Sequence, residues 1–152
     1  MVDIVSPEVR SRMMSGIRGK DTQPEMRIRR FLHGRGFRYR LHDRDLPGSP
    51  DLALSRYHVA IFVHGCYWHR HPGCPYATTP ASRVEFWQQK FDQNVARDRK
   101  VVDQLLETGW RVMVVWECGL RQVKSEEELN WLADSIRSGG SGFVEWPGIC
   151  NK

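Results

Sequence analysis

No apolar run in the chain approaches the roughly 18 residues that a membrane-spanning helix requires, which sets a helical membrane protein aside. The first residues, Met1-Val-Asp-Ile-Val-Ser-Pro7, lack the basic-then-apolar order of an export signal, so a cytoplasmic protein is expected. Cysteine is sparse, at positions 66, 74, 118 and 150 only. Without an export signal, disulfides are not expected, and thiolate metal ligands are the better use for these residues. Internal repeats, low-complexity tracts and long linkers are also missing. The 152 residues, 40% hydrophobic and 27% charged, therefore suit one domain with a core of its own. Acidic residues are short in one region alone. Residues 1–44 hold 11 Lys/Arg against 5 Asp/Glu, while residues 45–152 hold 12 against 13. An arginine-rich excess confined to the first third points to nucleic-acid phosphates.

Histidine and cysteine are concentrated in one place. The stretch His64-Gly-Cys-Tyr-Trp-His-Arg-His-Pro-Gly-Cys74 packs five possible metal ligands into eleven positions around two aromatic residues. Core positions favour apolar atoms without lone pairs, so this density points to a metal site. Cys66, His71 and Cys74 offer three ligands on a short loop. Cys118, just beyond an apolar strand, is the preferred fourth over Cys150 in the Gly- and Pro-bearing tail. Three thiolates and one imidazole would hold zinc in a closed, tetrahedral, structural site. Chemistry would then lie beside it, where His64 and His69 remain.

The pattern along the chain predicts a mixed α/β sheet with helices on its faces. A short helix is expected over 8–17. A second begins at Asp21-Thr-Gln-Pro-Glu25, with a capping residue and Pro in its first turn. Strands are predicted at 37–41, 51–54, 58–63 and 110–116, the second and third antiparallel neighbours, with an edge strand at 143–146. Ser82-x-x-Glu85 predicts a capping box before a long helical stretch to Glu107, as one helix or two, and Ser125-x-x-Glu128 predicts another before the last helix. The domain divides into a basic arm over 1–20, a core over 21–121 and a helix with a tail over 122–152.

Pro50-Asp51 opens one strand, and Phe62-Val63-His64 closes the next. Restriction-endonuclease-like nucleases place Pro-Asp on one strand and Glu-x-Lys on its neighbour. Here the Glu position reads Phe62 and the Lys position reads His64, leaving Asp51 as the one carboxylate from these two strands. Magnesium keeps most of its waters, so one carboxylate, a backbone carbonyl and substrate phosphate oxygens can suffice. His64 or His69 could accept a proton from water, and Asp98 could orient an imidazole. Tyr67 and Trp68, without apolar neighbours in sequence, and Trp87, next to Phe86, are expected to stack on or wedge between bases.

Asp21-Thr22…Glu25, Leu46-Pro-Gly-Ser-Pro-Asp51, Ile61-Phe-Val-His-Gly-Cys-Tyr-Trp-His69, Arg83…Glu85-Phe-Trp87, Asn94-Val-Ala-Arg-Asp98-Arg and Gly109-Trp-Arg-Val…Val-Trp-Glu-Cys118 together resemble the very-short-patch repair (Vsr) endonucleases. The resemblance spans about Ser11 to Arg121. It implies a restriction-endonuclease-like fold and nicking of duplex DNA on the 5′ side of the thymine in T:G mismatches left by deaminated 5-methylcytosine. It implies magnesium on Asp51 and the Val63 carbonyl, an acid–base network of His64, His69 and Asp98 with His69 as the preferred base, and a role for Glu25. It implies structural zinc on Cys66, His71, Cys74 and Cys118. Tyr67, Trp68 and Trp87 match the family's wedges, and Met14, Lys90 and Asn94 match positions near the mismatch. Tyr67 departs from a common Phe, and Val63 from a familiar Thr. Mismatch-repair helper proteins are possible partners, and a monomer is expected, since no coiled-coil stripe is visible. The competing readings are a magnesium-dependent endonuclease of another preference and a zinc-stabilised DNA-binding protein without hydrolysis. Flanking sequence and the roles of residues 122–152 and Cys150 do not follow from the chain.

Overall fold

The computed structural model describes residues 21–140 and 142–148. The helix expected over 8–17, the rest of the basic arm with Met14, and Cys150 lie outside them.

Five strands form one mixed sheet in sequence order: β1 (Arg40–Leu41), β2 (Leu52–Leu54), β3 (Val59–His64), β4 (Arg111–Trp116) and β5 (Phe143–Trp146). The first three run antiparallel, whereas β4 and β5 are parallel to β3. Parallel neighbours need crossovers. The first comprises α2 (Cys66–His69) and α3 (Val84–Glu107); the second comprises α4 (Glu117–Gln122) and α5 (Asn130–Ser138). An earlier helix, α1 (Gln23–Gly34), precedes the sheet.

Alternation along the central strands sorts the core into two layers. Val59, Ile61, Met113 and Val115 face α1 and α5, where they pack with Ile28, Phe31, Leu132 and Ile136. Ala60, Phe62, Val112, Val114 and Trp116 face the other way, toward Leu105 of α3 and three cysteines. His64, the last residue of β3, continues the second set. The period-2 pattern thus sends His64 to the α3 side of the sheet.

Several expectations change in detail. The strand at 37–41 shrinks to Arg40–Leu41, because the three-residue β2 offers partners only at Ala53 and Leu52. Phe37 enters the core instead, against Tyr57. The stretch to Glu107 is one helix, but it starts at Val84, so the N-cap position falls on Arg83, in a left-handed conformation with no side-chain cap, rather than on Ser82. Phe86 on this helix is 44% exposed, and only Phe91 and Leu105 are buried. The second capping box does form, on a 3-10 turn (Glu126–Leu129) that leads into α5. Gly48 is where the loop before β2 meets α3. Its φ is +73°, and a Cβ there would lie 2.5 Å from a Val101 methyl. Only glycine lets this loop close against the helix.

Candidate active site and metal-ligand cluster

Strand β3 outlasts β2. Their last pair is Leu52 with Ile61, so Val63 has no β2 partner. Its N–H donates instead to Asp51 Oδ2 at 2.7 Å. In an extended strand the N–H and C=O of one residue project to the same side, so the Val63 carbonyl also faces the Asp51 side. The Asp51 side chain is 16% exposed. Burial, and then the Glu25 carboxyl beside it, push its pKa up to about 8; the Val63 N–H and Arg29 pull the other way. A buried carboxylate with a carbonyl alongside is a hard, oxygen-only donor set that gains from a cation, and it suits magnesium.

Behind Asp51 lies a polar network. At the start of α1, Thr22 Oγ1 caps the Glu25 N–H, and the Glu25 carboxylate accepts from the Asp21 N–H at 2.8 Å. Arg29, one turn on, donates to Glu25 and, at 2.6 Å, to Asp21. Its Nη2 also lies 3.0 Å from His42 Nε2, whose ring reaches Glu25 Oε2 at 3.2 Å and Asp51 Oδ1 at 3.7 Å. Sequence reasoning missed Arg29 and His42. The i,i+4 spacing of Glu25 and Arg29 was a usable signal; nothing local marked His42.

His64 is buried on the α3 side, edge-on to Trp116. Its ring stacks on His69 with centroids 3.9 Å apart and planes 5° from parallel. Burial first, and His69 second, hold its pKa well below the ordinary histidine value. His69 ends α2, and its Nδ1 lies 2.6 Å from Asp98 Oδ2 on α3. A carboxylate oxygen accepts, so Nδ1–H is the donor in this bond, and in the neutral ring that leaves the lone pair on Nε2. Asp51, Val63, His64, His69 and Asp98 all line one cavity of about 580 Å³. Glu25 sits behind that wall.

The sulfur cluster is a few residues away. Cys66 opens α2, Cys118 lies in α4 just past β4, and His71 and Cys74 follow the turn, all four buried. Their ligand atoms lie within 4.8 Å of one another. His71 Nδ1 is 3.3 Å from Cys118 Sγ and 3.8 Å from Cys66 Sγ. Donors about 2.0–2.3 Å from one tetrahedral centre are separated by roughly 3.5–3.8 Å, so the set fits a zinc-sized ion. The other ring nitrogen of His71 bonds the Gly148 carbonyl, the outer contact that fixes a ligating imidazole, and the ring stacks on Trp116. Burial pushes the Cys66 thiol up to about 11, with Cys74 adding to the rise and hydrogen bonds from Cys118 opposing it; burial, then Cys66 and Cys74, raise Cys118. Thiolates so placed are stable only around a cation.

Tyr67 and Trp68 were expected without apolar neighbours; the structure supplies them from α3. Phe91 lies edge-on to Tyr67 at 5.3 Å, and Trp87 lies 6.1 Å from Trp68. Both rings remain part-exposed. Arg70 fixes the turn that carries them. It donates to the carbonyls of Tyr67, Ala77 and Thr78 and to Thr79 Oγ1, and its guanidinium sits 4.0 Å over the Phe91 ring. Asn94 Nδ2 donates to the Trp68 carbonyl at 3.3 Å, and Lys90 is exposed one turn earlier on α3.

The family model described as DNA mismatch endonuclease Vsr matches residues 2–74. The chain is 45% identical over 121 residues to "DNA mismatch endonuclease Vsr" of Escherichia coli (strain K12), covering 80% of this chain and 77% of that protein. It is 44% identical to "Type II nicking enzyme V.XorIIP" of Xanthomonas oryzae pv. oryzae, covering 84% and 93%. With "Type II nicking enzyme V.NmeAIP" of Neisseria meningitidis serogroup A it shares 41% identity, covering 90% and 98%.

Proposed function

The chain belongs to the Vsr family of DNA mismatch endonucleases and is a DNA endonuclease, and on that premise we propose that it nicks one strand of duplex DNA 5′ of the thymine in a T:G mismatch, with magnesium. The observation that carries this reading is the meeting of Asp51, His64, His69 and Asp98 around one cavity. Asp51 and the Val63 carbonyl would hold the magnesium ion, which would supply Lewis acidity toward the attacking water and positive charge against the phosphate.

The side chains do the rest. His69 Nε2 takes the proton from the attacking water as its oxygen bonds to phosphorus; the opposite P–O ester bond breaks, and its oxygen leaves with the bond pair and takes a proton from solvent to become the hydroxyl end of the nicked strand. Asp98 holds the His69 Nδ1–H and offsets the charge on the imidazolium that forms. His64, stacked on His69, keeps that ring in plane with the cavity. Glu25 braces Asp51 from behind. Cys66, His71, Cys74 and Cys118, gathered within ligand distance of one another, would hold zinc, which would pin the turn bearing the aromatic rings. Tyr67, Trp68 and Trp87 wedge at the mispair, which unstacks at lower cost than a matched pair. Met14, Lys90 and Asn94 contact the DNA nearby. The fold is restriction-endonuclease-like, and the protein acts as a monomer in the bacterial cytoplasm.

Labelled duplexes carrying T:G, other mismatches or none, with magnesium or EDTA, test this reading. Magnesium-dependent nicking of T:G alone is expected. Cutting of matched DNA would mark an endonuclease of another preference, and binding without cutting would mark a DNA-binding protein.

A further inference from the structure

We infer that Arg44 and Arg97 are the phosphate-gripping residues of the cleavage cavity, contacting the backbone at the cut. This rests on the proposed nicking function and deepens it. Hydrolysis of a phosphodiester builds negative charge on the non-bridging oxygens, and a site gains by placing fixed positive charge against it. In restriction-endonuclease-like sites, a strand lysine brings positive charge to this position. Here that position is His64, buried against the His69 ring and in no position to reach out as a cation. The positive charge must come from elsewhere on the cavity wall.

Two permanently charged side chains line that wall, Arg44 and Arg97. They arrive from separate elements. Arg44 lies in the turn that leads to Pro50-Asp51, and Arg97 lies on α3, directly before the residue that holds His69. Both are exposed, and neither is ion-paired among the described residues. Other arginines are consumed by the fold. Arg27 caps the carbonyls of Leu120 and Val123, Arg111 those of Ser135 and Ile136, and Arg29 two carboxylates. Arg97 instead gives one bond, at 2.8 Å, to the neutral Asn94 Oδ1, which leaves its charge uncompensated. The same Asn94 amide holds the Trp68 carbonyl, so the grip on the backbone is tied to the turn that carries the proposed wedge. A guanidinium presents two parallel donors to a phosphate, which a lysine does not.

The test measures binding in EDTA, where nothing is cut. A fluorescent T:G duplex is titrated with wild type, Arg44→Gln, Arg97→Gln and Arg97→Lys between 50 and 200 mM salt. Arg56→Gln serves as control, an exposed arginine at the opposite end of β2 and β3. Each glutamine variant should lower the slope of log affinity against log salt by roughly 0.9, the signature of one lost phosphate contact. Arg56→Gln should leave the slope unchanged. Arg97→Lys should keep most of the slope while losing about tenfold in single-turnover nicking at saturating enzyme and magnesium. Unchanged slopes in both glutamine variants, with melting temperatures retained, overturn the assignment. Wild-type nicking of T:G with unchanged slopes sinks only the arginines. Falling slopes with no T:G nicking uphold them and sink the mismatch reading.

Discussion

Two groups of polar residues leave the same strand end and meet opposite fates. From β3 onward, Cys66 and His71 turn inward with Cys74 and Cys118, and every donor in that set points at another. His64 and His69 turn toward a cavity shared with Asp51 and Asp98, where one side of each group is open. The inward set is saturated by its own members once a cation joins them, so it has no position for a substrate. The cavity set is under-coordinated, with one carboxylate, one carbonyl and one imidazole nitrogen free to engage something else. Neighbouring positions in one short turn thus separate a closed donor set from an open one. The residue types are alike; what differs is whether the donors converge on each other or on open space.

The sharpest way to break this contrast is Asp51→Asn. Nicking should fall on the order of 10³-fold or more, the upper range for one charge-stabilising group. The zinc content should stay at wild-type level and the Tm should not fall, because the change removes a buried carboxyl crowded by Glu25. Retained nicking would mean that the open set is not the chemistry. Cys118→Ser probes the other side. It should release zinc and lower the Tm by roughly 5–10 °C, the shift that about 2–3 kcal/mol produces in a chain of this size. Nicking should drop along with zinc occupancy, measured by elemental analysis, because the turn bearing His69 loosens. A Cys118→Ser protein that is zinc-free yet melts and nicks like wild type would erase the contrast.

Acidity separates the two sets more gently. Asp51 holds its proton in the folded protein up to about pH 8, whereas an unfolded aspartate releases it near pH 4. The folded state therefore binds the extra proton between these values, and the stability tied to it is lost as pH rises toward 8. In metal-free protein, raising the pH from 5 to 9 should lower the Tm, and Asp51→Asn should flatten that trend. Magnesium must displace the same proton, so its half-saturating concentration should fall by up to about tenfold per pH unit below 8 and level off above it. A flat magnesium profile would show that Asp51 is not the ligand. The smallest effect is expected at Arg70, which ties the turn between the two sets without belonging to either. Arg70→Gln should slow nicking a few-fold and reduce the preference for a mispaired over a matched duplex, with zinc retained. Loss of zinc would place Arg70 in the closed set instead.

Much of this was legible in the chain. The buried apolar runs at 58–63 and 110–116, read as neighbouring strands, put His64 and Cys118 at adjacent strand ends, so the fourth cysteine followed from topology. Asp51 stood out because Pro-Asp opens a strand beside that end. The failures share a cause. Arg29 and His42 join Asp51 only through contacts between α1 and the start of β2, and no local spacing encodes them. The Ser82 motif put the helix start one residue early, because Arg83 precedes α3 with positive φ. Tyr67 and Trp68 looked bare in sequence because their apolar partner, Phe91, lies more than 20 residues on. Patterns that repeat along one element were readable, and those made by two elements meeting were not.

The division of labour is tested most directly by titrating magnesium into zinc-loaded wild-type protein under single-turnover conditions with a T:G duplex, while zinc occupancy is followed in the same samples. Nicking should rise from zero with magnesium at a constant one equivalent of zinc. Nicking that proceeds without magnesium and tracks zinc occupancy instead would contradict the account.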